Sequence, residues 1–208
     1  MAWTARRHGD LGPNAPGDID ARRRAVLDRP WAWLRQVHGA GVVSVTAPPP
    51  QGRDADALVS LEGPAALAVF TADCAPIAMA DGSGAMAAIH AGWKGLLAGV
   101  VRAAADTLRQ AGGRAPVAAL GPCIGPECYE FSPGDLGPLV QRFGPSVESE
   151  TALGKPALDL RAAVRASLEE AGVELVFDAG VCTSCSESHW SHRRSADPER
   201  QALIVWRP

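Results

Sequence analysis

Between Ala66 and Ala91 the chain carries three short apolar runs, 66–71, 76–80 and 85–91, with hardly a polar residue inside them. A strand with one wet face alternates apolar and polar side chains. A run that does not alternate is a strand covered on both faces. Asp81-Gly82-Ser83-Gly84 joins the second and third runs as a hairpin connection. Helices can supply the cover. From Gly95 onward Leu97, Val101, Ala105 and Leu108 form one helical stripe, which Gly112-Gly113 ends. Asp159 reads as the N-cap of a second helix whose stripe is Leu160, Val164, Leu168 and Ala171.

The remaining segments fit the same plan. Residues 31–37 alternate, with Trp31, Trp33, Arg35 and Val37 on one face and Ala32, Leu34, Gln36 and His38 on the other. A turn at 39–41 leads to a strand at 42–46, which stops at Pro48-Pro49-Pro50; these prolines with Gln51-Gly52 read as an exposed loop. Further strands are expected at 116–120, 174–178 and 202–206, and a short helix at 18–27 in a first thirty residues that otherwise read as loop. No repeat interrupts the pattern. The expectation is one α/β (α+β) domain over 1–208, a mixed sheet flanked by helices.

Charge and cysteine usage narrow the function. A net charge of -3 argues against an electrostatic nucleic-acid binder. No apolar run approaches the roughly 20 residues of a membrane span, and residues 1–7 show no signal peptide, so a cytoplasmic protein is expected. Five cysteines, an odd number, speak for reduced thiols rather than a disulfide framework.

Chemistry is expected where apolar strands end in polar residues. These junctions are Arg35-Gln36-Val37-His38-Gly39, Thr71-Ala72-Asp73-Cys74, His90-Ala91-Gly92-Trp93-Lys94-Gly95, Gly121-Pro122-Cys123-Ile124-Gly125-Pro126 and Ser191-His192-Arg193-Arg194. Strand ends are rigid, and the loops after them meet at one rim of a sheet. A hairpin brings Cys74 towards His90, which shares a strand face with Met86 and Ala88. If His38 joins them, the set has three ligands and one open position, the arrangement of a catalytic zinc. The bland alternative is a buried thiol and two structural imidazoles. Lys94 before a helix start, and Arg193-Arg194, suit an anion or phosphate, although isolated basic residues are more often solvated surface charge. Trp93 reads as a core or pocket-wall residue. A rival structural zinc site with four thiolates, Cys123-x4-Cys128 with Cys182-x2-Cys185, is a loose match in its spacing.

Taken in order, QVHG at 36–39, ADALVS at 55–60, TADC at 71–74, HAGWKG at 90–95, GPCIGPECYE at 121–130, and CTSC with SHRR in 182–194 resemble the YfiH/YlmD family. Its members are variously labelled polyphenol oxidase, laccase-domain protein, purine nucleoside phosphorylase and peptidoglycan editing factor. The resemblance implies a single-domain fold similar to the catalytic domain of cytotoxic necrotizing factors. It also implies a metal triad at His38, Cys74 and His90, with Lys94, Arg193, Arg194 and Arg35 towards substrate or phosphate. The implied activity is zinc-dependent phosphorolysis of adenosine, inosine and methylthioadenosine, with adenosine deamination, by a monomer or small homo-oligomer. Three departures concern the substrate side. The N-terminal segment 1–30 is shorter than is usual in the family, Lys94 stands where Arg is common, and His192 stands where Tyr is common.

Two other reactions fit the family's labels. Copper-dependent phenol oxidation would need predominantly imidazole ligands at several coppers, and the chain has only five histidines. Cysteine-centred hydrolysis of a cell-wall precursor would use Cys74 as nucleophile and His90 as base.

Overall fold

The structure is a computed structural model that describes residues 1–45, 49–61, 63, 65–110 and 114–207. In chain order its strands are β1 (Ala2–Trp3), β2 (Trp31–Arg35), β3 (Val42–Ser44), β4 (Gln51–Asp54), β5 (Ala57–Ser60), β6 (Ala66–Thr71), β7 (Ala75–Ala80), β8 (Met86–Ala91), β9 (Val117–Leu120), β10 (Glu148–Glu150), β11 (Pro156–Leu158), β12 (Glu174–Asp178) and β13 (Gln201–Val205). Its helices are α1 (Ile19–Val26), α2 (Trp93–Ala98), α3 (Val100–Gln110), α4 (Pro133–Phe143), α5 (Leu160–Glu170) and α6 (His192–Ser195). One sheet has the order β1-β13-β6-β2-β4 and a second the order β12-β9-β7-β8-β5-β3, with β10-β11 as a separate ribbon. Both large sheets are mixed. β2 runs parallel to β4 and β6, for example, while β7 runs antiparallel to β8 and β9.

The apolar runs are explained by four layers. In β6, Ala66, Ala68 and Phe70 pack outward against Leu11, Trp31 and Ile204. Leu67 and Val69 face the other way and meet Leu34, Leu58, Ala88 and Leu203 between the sheets. In β8, Met86 and Ala88 join that inter-sheet core, whereas Ala87, Ile89 and Ala91 pack on the helical side with Leu96, Val101, Leu108 and Leu168. Each central strand is therefore dry on both faces, which removes the alternation that water imposes.

The expected fold class holds, with one refinement: the strands form two stacked mixed sheets. Lack of alternation records that both faces are covered, and it is silent on whether a helix or another sheet covers them. The alternation read in 31–37 is realised, with Ala32 and Leu34 facing the inter-sheet core and Trp31 and Trp33 the outer one. α1 begins where expected, after Asp18, whose carboxylate accepts the Ala21 N–H at 2.9 Å. Asp159 likewise caps α5 through the Ala162 N–H.

Two expectations are corrected, and one helix is added. The helix read from Gly95 starts at Trp93 and is broken at Gly99, whose φ of 88° is left-handed, so it becomes α2 and α3. Gln51-Gly52, read as loop, instead open the edge strand β4; all four of its residues are exposed, so no buried face marked them. α4 went unread because Gly134, Gly137 and Pro138 dilute its pattern, yet Ser132 caps it and Leu136, Leu139 and Phe143 are buried. The glycines at 112 and 113 and the end of the 42–46 strand, with Pro48, lie outside the described residues. Among the described residues no helix is long and apolar enough to cross a membrane.

The inter-sheet layer contributes directly to stability. Leu67→Ala, at a fully buried position, is expected to cost about 2–5 kcal/mol. Urea unfolding checks this, with a lower midpoint and an unchanged m-value.

Candidate metal centre

His38, Cys74 and His90 meet at one end of the inter-sheet layer, and one ligand atom from each lies within 4.8 Å of the others. Each is placed by a strand end. His90 is the penultimate residue of β8, on the same face as Met86 and Ala88, and is 3% exposed. Cys74 directly precedes β7, whose Ala75 pairs with Ala91 of β8. His38 follows β2 in a tight turn, with a φ of 59°. Its Nε2 lies 3.7 Å from Cys74 Sγ, and its ring stands edge-on to that of His90 at 4.8 Å between centroids.

The residue that organises these three is Asp56, which sequence reasoning did not single out. It sits just before β5 with no exposed surface. One carboxylate oxygen receives the His90 Nδ1–H at 2.8 Å and the His38 backbone N–H at 3.0 Å. The other receives the Gly39 N–H at 2.7 Å. With Nδ1 engaged, His90 presents Nε2 to the cluster, the arrangement by which carboxylates orient metal-binding imidazoles. The signal was present as the aspartate inside ADALVS, a charge embedded in a buried strand that must be bonded to be tolerated.

Gly92 is demanded by close approach. A Cβ there would lie 2.8 Å from His38 Cδ2 and 3.0 Å from Cys74 Sγ. Any larger residue in HAGW would push the imidazole and the thiol apart.

The electrostatics are those of an ion pair. Burial alone would raise the Cys74 thiol, but the charge of His90 and hydrogen bonding from His38 and His90 outweigh it and bring it down to about 6. Burial alone would lower His90, but the Cys74 charge and the Asp56 carboxylate raise it to about 9. Burial also disfavours the Asp56 carboxylate, and its bonds to His90 and to the Gly39 and His38 N–H groups more than compensate, leaving it below the ordinary range. At neutral pH the metal-free centre is a thiolate beside an imidazolium on a carboxylate.

The cluster lies in the wall of a cavity of about 550 Å³. Lys94 lines it, exposed, with Nζ 5.3 Å from the Trp93 ring. Trp93 is a wall residue, held edge-on against Phe131. Arg193 also lines it, its guanidinium 4.9 Å from the Tyr129 ring and donating to the Glu130 carbonyl at 2.9 Å. Asp73, at a φ of 93°, ties Arg193 to Cys74. Its carboxylate receives the Arg193 N–H at 2.7 Å and the Thr183 hydroxyl at 2.6 Å. Tyr129, His192 and Arg200 also line the cavity, and none had been assigned a role.

Two basic residues expected here are placed elsewhere. The Arg194 guanidinium donates to the carbonyls of Ser184, Ser186 and His189 and pins their loop. Arg35 pairs with Asp54 and lines a neighbouring cavity of about 850 Å³, which shares Gln36, Phe70 and Arg200 with the first. The four-cysteine set is also not assembled. Cys123 is a core residue whose thiol burial pushes up to about 12, and Glu127 stands with Cys128, Cys182 and Cys185 instead.

Residues 18–208 match the family model described as multi-copper polyphenol oxidoreductase laccase. The chain belongs to this laccase-domain family. It is 44% identical over 180 residues to the purine nucleoside phosphorylase SCO2081 of Streptomyces coelicolor, covering 84% of this chain and 74% of that one. It is 33% identical over 182 residues to the purine nucleoside phosphorylase YfiH of Escherichia coli, covering 84% and 72%. Among solved structures, YlmD from Geobacillus stearothermophilus superposes with a TM-score of 0.85 at 28% identity, covering 95% of this chain and 84% of that one. The laccase-domain resemblance read from six ordered motifs is thereby established, and the family's description points to metal binding.

In the metal-free protein the Cys74 thiolate should form with a midpoint near pH 6, against ~8.5 for an ordinary thiol. Alkylation rate at Cys74 against pH, read by peptide mass spectrometry, measures it. His38→Ala is expected to move the midpoint upward, and an unshifted, ordinary midpoint in the wild type would refute the ion-pair description.

Proposed function

We propose that this laccase-domain protein is a zinc-dependent purine nucleoside phosphorylase, acting on adenosine, inosine and methylthioadenosine, that also deaminates adenosine. The observation that carries the reading is one cavity holding the His38-Cys74-His90 cluster together with Lys94 and Arg193. Relatives at 33–44% identity bear the name purine nucleoside phosphorylase.

The donor set fits zinc. Two imidazole nitrogens and one thiolate are ligands that zinc accepts, and three protein ligands leave a fourth position for substrate or water. His90 is held by Asp56 in the orientation a ligand needs. Bound there, zinc would act as a Lewis acid that polarises an oxygen of phosphate, sugar or water.

The chain's own residues do the rest. Lys94 and Arg193 face the cavity as cations and bind the phosphate nucleophile, with Arg193 held in place by Glu130 and Asp73. Tyr129 lines the cavity, and burial raises its hydroxyl, so it stays protonated at neutral pH and would be available as a donor to a bound nucleoside. Trp93 and Tyr129 give the wall flat apolar faces against which a purine or ribose can lie.

Incubation of pure protein with inosine and phosphate should release hypoxanthine, and Cys74→Ala should abolish it; adenosine without phosphate should yield inosine. No product from any nucleoside rejects the proposal. Chelation separates it from cysteine-centred hydrolysis, since a nucleophilic thiol survives metal removal. Elemental analysis separates it from phenol oxidation, which requires several equivalents of copper.

Zinc affinity at this centre should rise with pH. Cys74 is already ionised above about 6, whereas His90 must shed a proton held up to about 9. Between these values the apparent affinity should climb roughly tenfold per pH unit, then level off. Asp56→Asn should weaken zinc by about 10–100-fold. Competition with a fluorescent chelator across pH reads both.

A further inference from the structure

Outside the catalytic cavity, one ligand atom from each of Glu127, Cys128, Cys182 and Cys185 lies within 4.8 Å of the others. Cys128 Sγ and Cys185 Sγ are 3.3 Å apart, and the Cys185 thiol donates to Glu127 Oε1 at 3.4 Å. Cys182 is buried, and its sulfur receives the Gly125 N–H at 3.2 Å. All five cysteines are free thiols. We propose that Glu127, Cys128, Cys182 and Cys185 form a second metal site, closed and structural, that takes a thiophilic divalent ion such as zinc.

The chemistry of the donors supports this. Three soft sulfurs and one carboxylate make a four-donor set, the number a structural zinc uses, with no position left for substrate. Spacing agrees with placement. Cys182 and Cys185 have two residues between them in a turn, and Glu127 and Cys128 lie in the 3-10 turn Pro126–Cys128. Left unmetallated, the four groups crowd acceptors and weak donors together. Metal would replace that arrangement with bonds to every member. Two arginines fasten the backbone around the site: Arg161 donates to the Cys123 and Val181 carbonyls, and Arg194 to those of Ser184 and Ser186.

The site would tie the loop after β9 to the loop after β12. Both loops reach the catalytic cavity. Thr183, between two of the ligands, donates to Asp73 beside Cys74, and Tyr129 follows Cys128 directly. A closed metal here would clamp the segment that leads to Arg193, and so hold the substrate side rather than the His38-Cys74-His90 cluster.

The test uses the full chain, reduced and metal-free, carrying Cys74→Ser so that the catalytic cluster contributes no thiolate. Titration with Co²⁺ should give one tight equivalent with thiolate-to-cobalt charge-transfer absorption and the intense visible bands of a tetrahedral ion. Adding Cys123→Ser should leave that spectrum intact, and adding Cys128→Ser or Cys185→Ser should reduce the charge-transfer intensity by about a third and weaken binding at least tenfold. Absence of charge-transfer absorption in the Cys74→Ser protein overturns the proposal, and so does its loss with Cys123→Ser. Should the cysteine variants fail to fold, thiol alkylation of the Cys74→Ser protein decides. One equivalent of Zn²⁺ should protect Cys128 and Cys185, and unprotected thiols, or a Cys128–Cys185 disulfide in place of metal, refute the site. Nucleoside turnover plays no part in these readouts, so they stand or fall apart from the catalytic proposal.

Discussion

The buried carboxylate of Asp56 is the interaction on which the His38-Cys74-His90 end of the molecule depends. A carboxylate with no exposed surface is tolerated only when its oxygens are bonded, and here the turn after β2 and the end of β8 supply the donors. The same bonds do two further things. They hold His38 in a left-handed conformation that a histidine seldom adopts, and they orient His90 towards Cys74. Removing the carboxylate would leave the turn's N–H groups and an imidazole without their partner, so positioning and stability are not separable at this residue. The sign of its titration follows. A carboxyl held below its ordinary range contributes stability above about pH 4, and that contribution disappears as the pH falls through the folded-state value.

Strand ends make this arrangement possible. The central strands of both large sheets are covered on each face, so β2, β5, β7 and β8 are held by packing. Their ends inherit that rigidity. His38, Asp56, Cys74 and His90 come from four different strand termini, and no two are within fifteen residues in sequence. Separate rigid supports can hold an imidazole, a thiol and a second imidazole at fixed distances without a tight sequence motif. That is why no short regular interval marks the centre.

The sequence disclosed what burial and local chemistry write into it. The runs at 66–71 and 85–91 announced dry strands, Asp18 and Asp159 announced helix starts, and polar junctions singled out His38, Cys74 and His90. Other features left no local trace. An exposed edge strand such as β4 buries no face and therefore shows no period. A helix diluted by Gly134, Gly137 and Pro138 loses its stripe while keeping its cap. The roles of Arg35 and Arg194 depend on long side chains finding Asp54 and three carbonyls, a matter of tertiary placement. Asp56 was legible in principle, since a lone charge in an apolar strand asks for partners, but the sequence cannot say which partners it finds.

The cations at the cavity differ in how firmly they are held, and this bears on substrate binding. Resemblance to the family places arginine where this chain has Lys94. An ammonium offers a point charge on a flexible stem, whereas a guanidinium offers a planar fork that fixes the orientation of a phosphate. Lys94 is exposed and enters no ion pair among the described residues, so it is free to follow an anion but cannot dictate its angle. Arg193 has the opposite character. Its backbone N–H is tied to Asp73, one guanidinium nitrogen to Glu130, and its plane lies near Tyr129. In the proposed reaction direction would come from Arg193 and attraction from Lys94. Thr183 and the Arg193 N–H both donate to Asp73, the residue before Cys74, so a single buried carboxylate would couple anion placement to the proposed metal ligand.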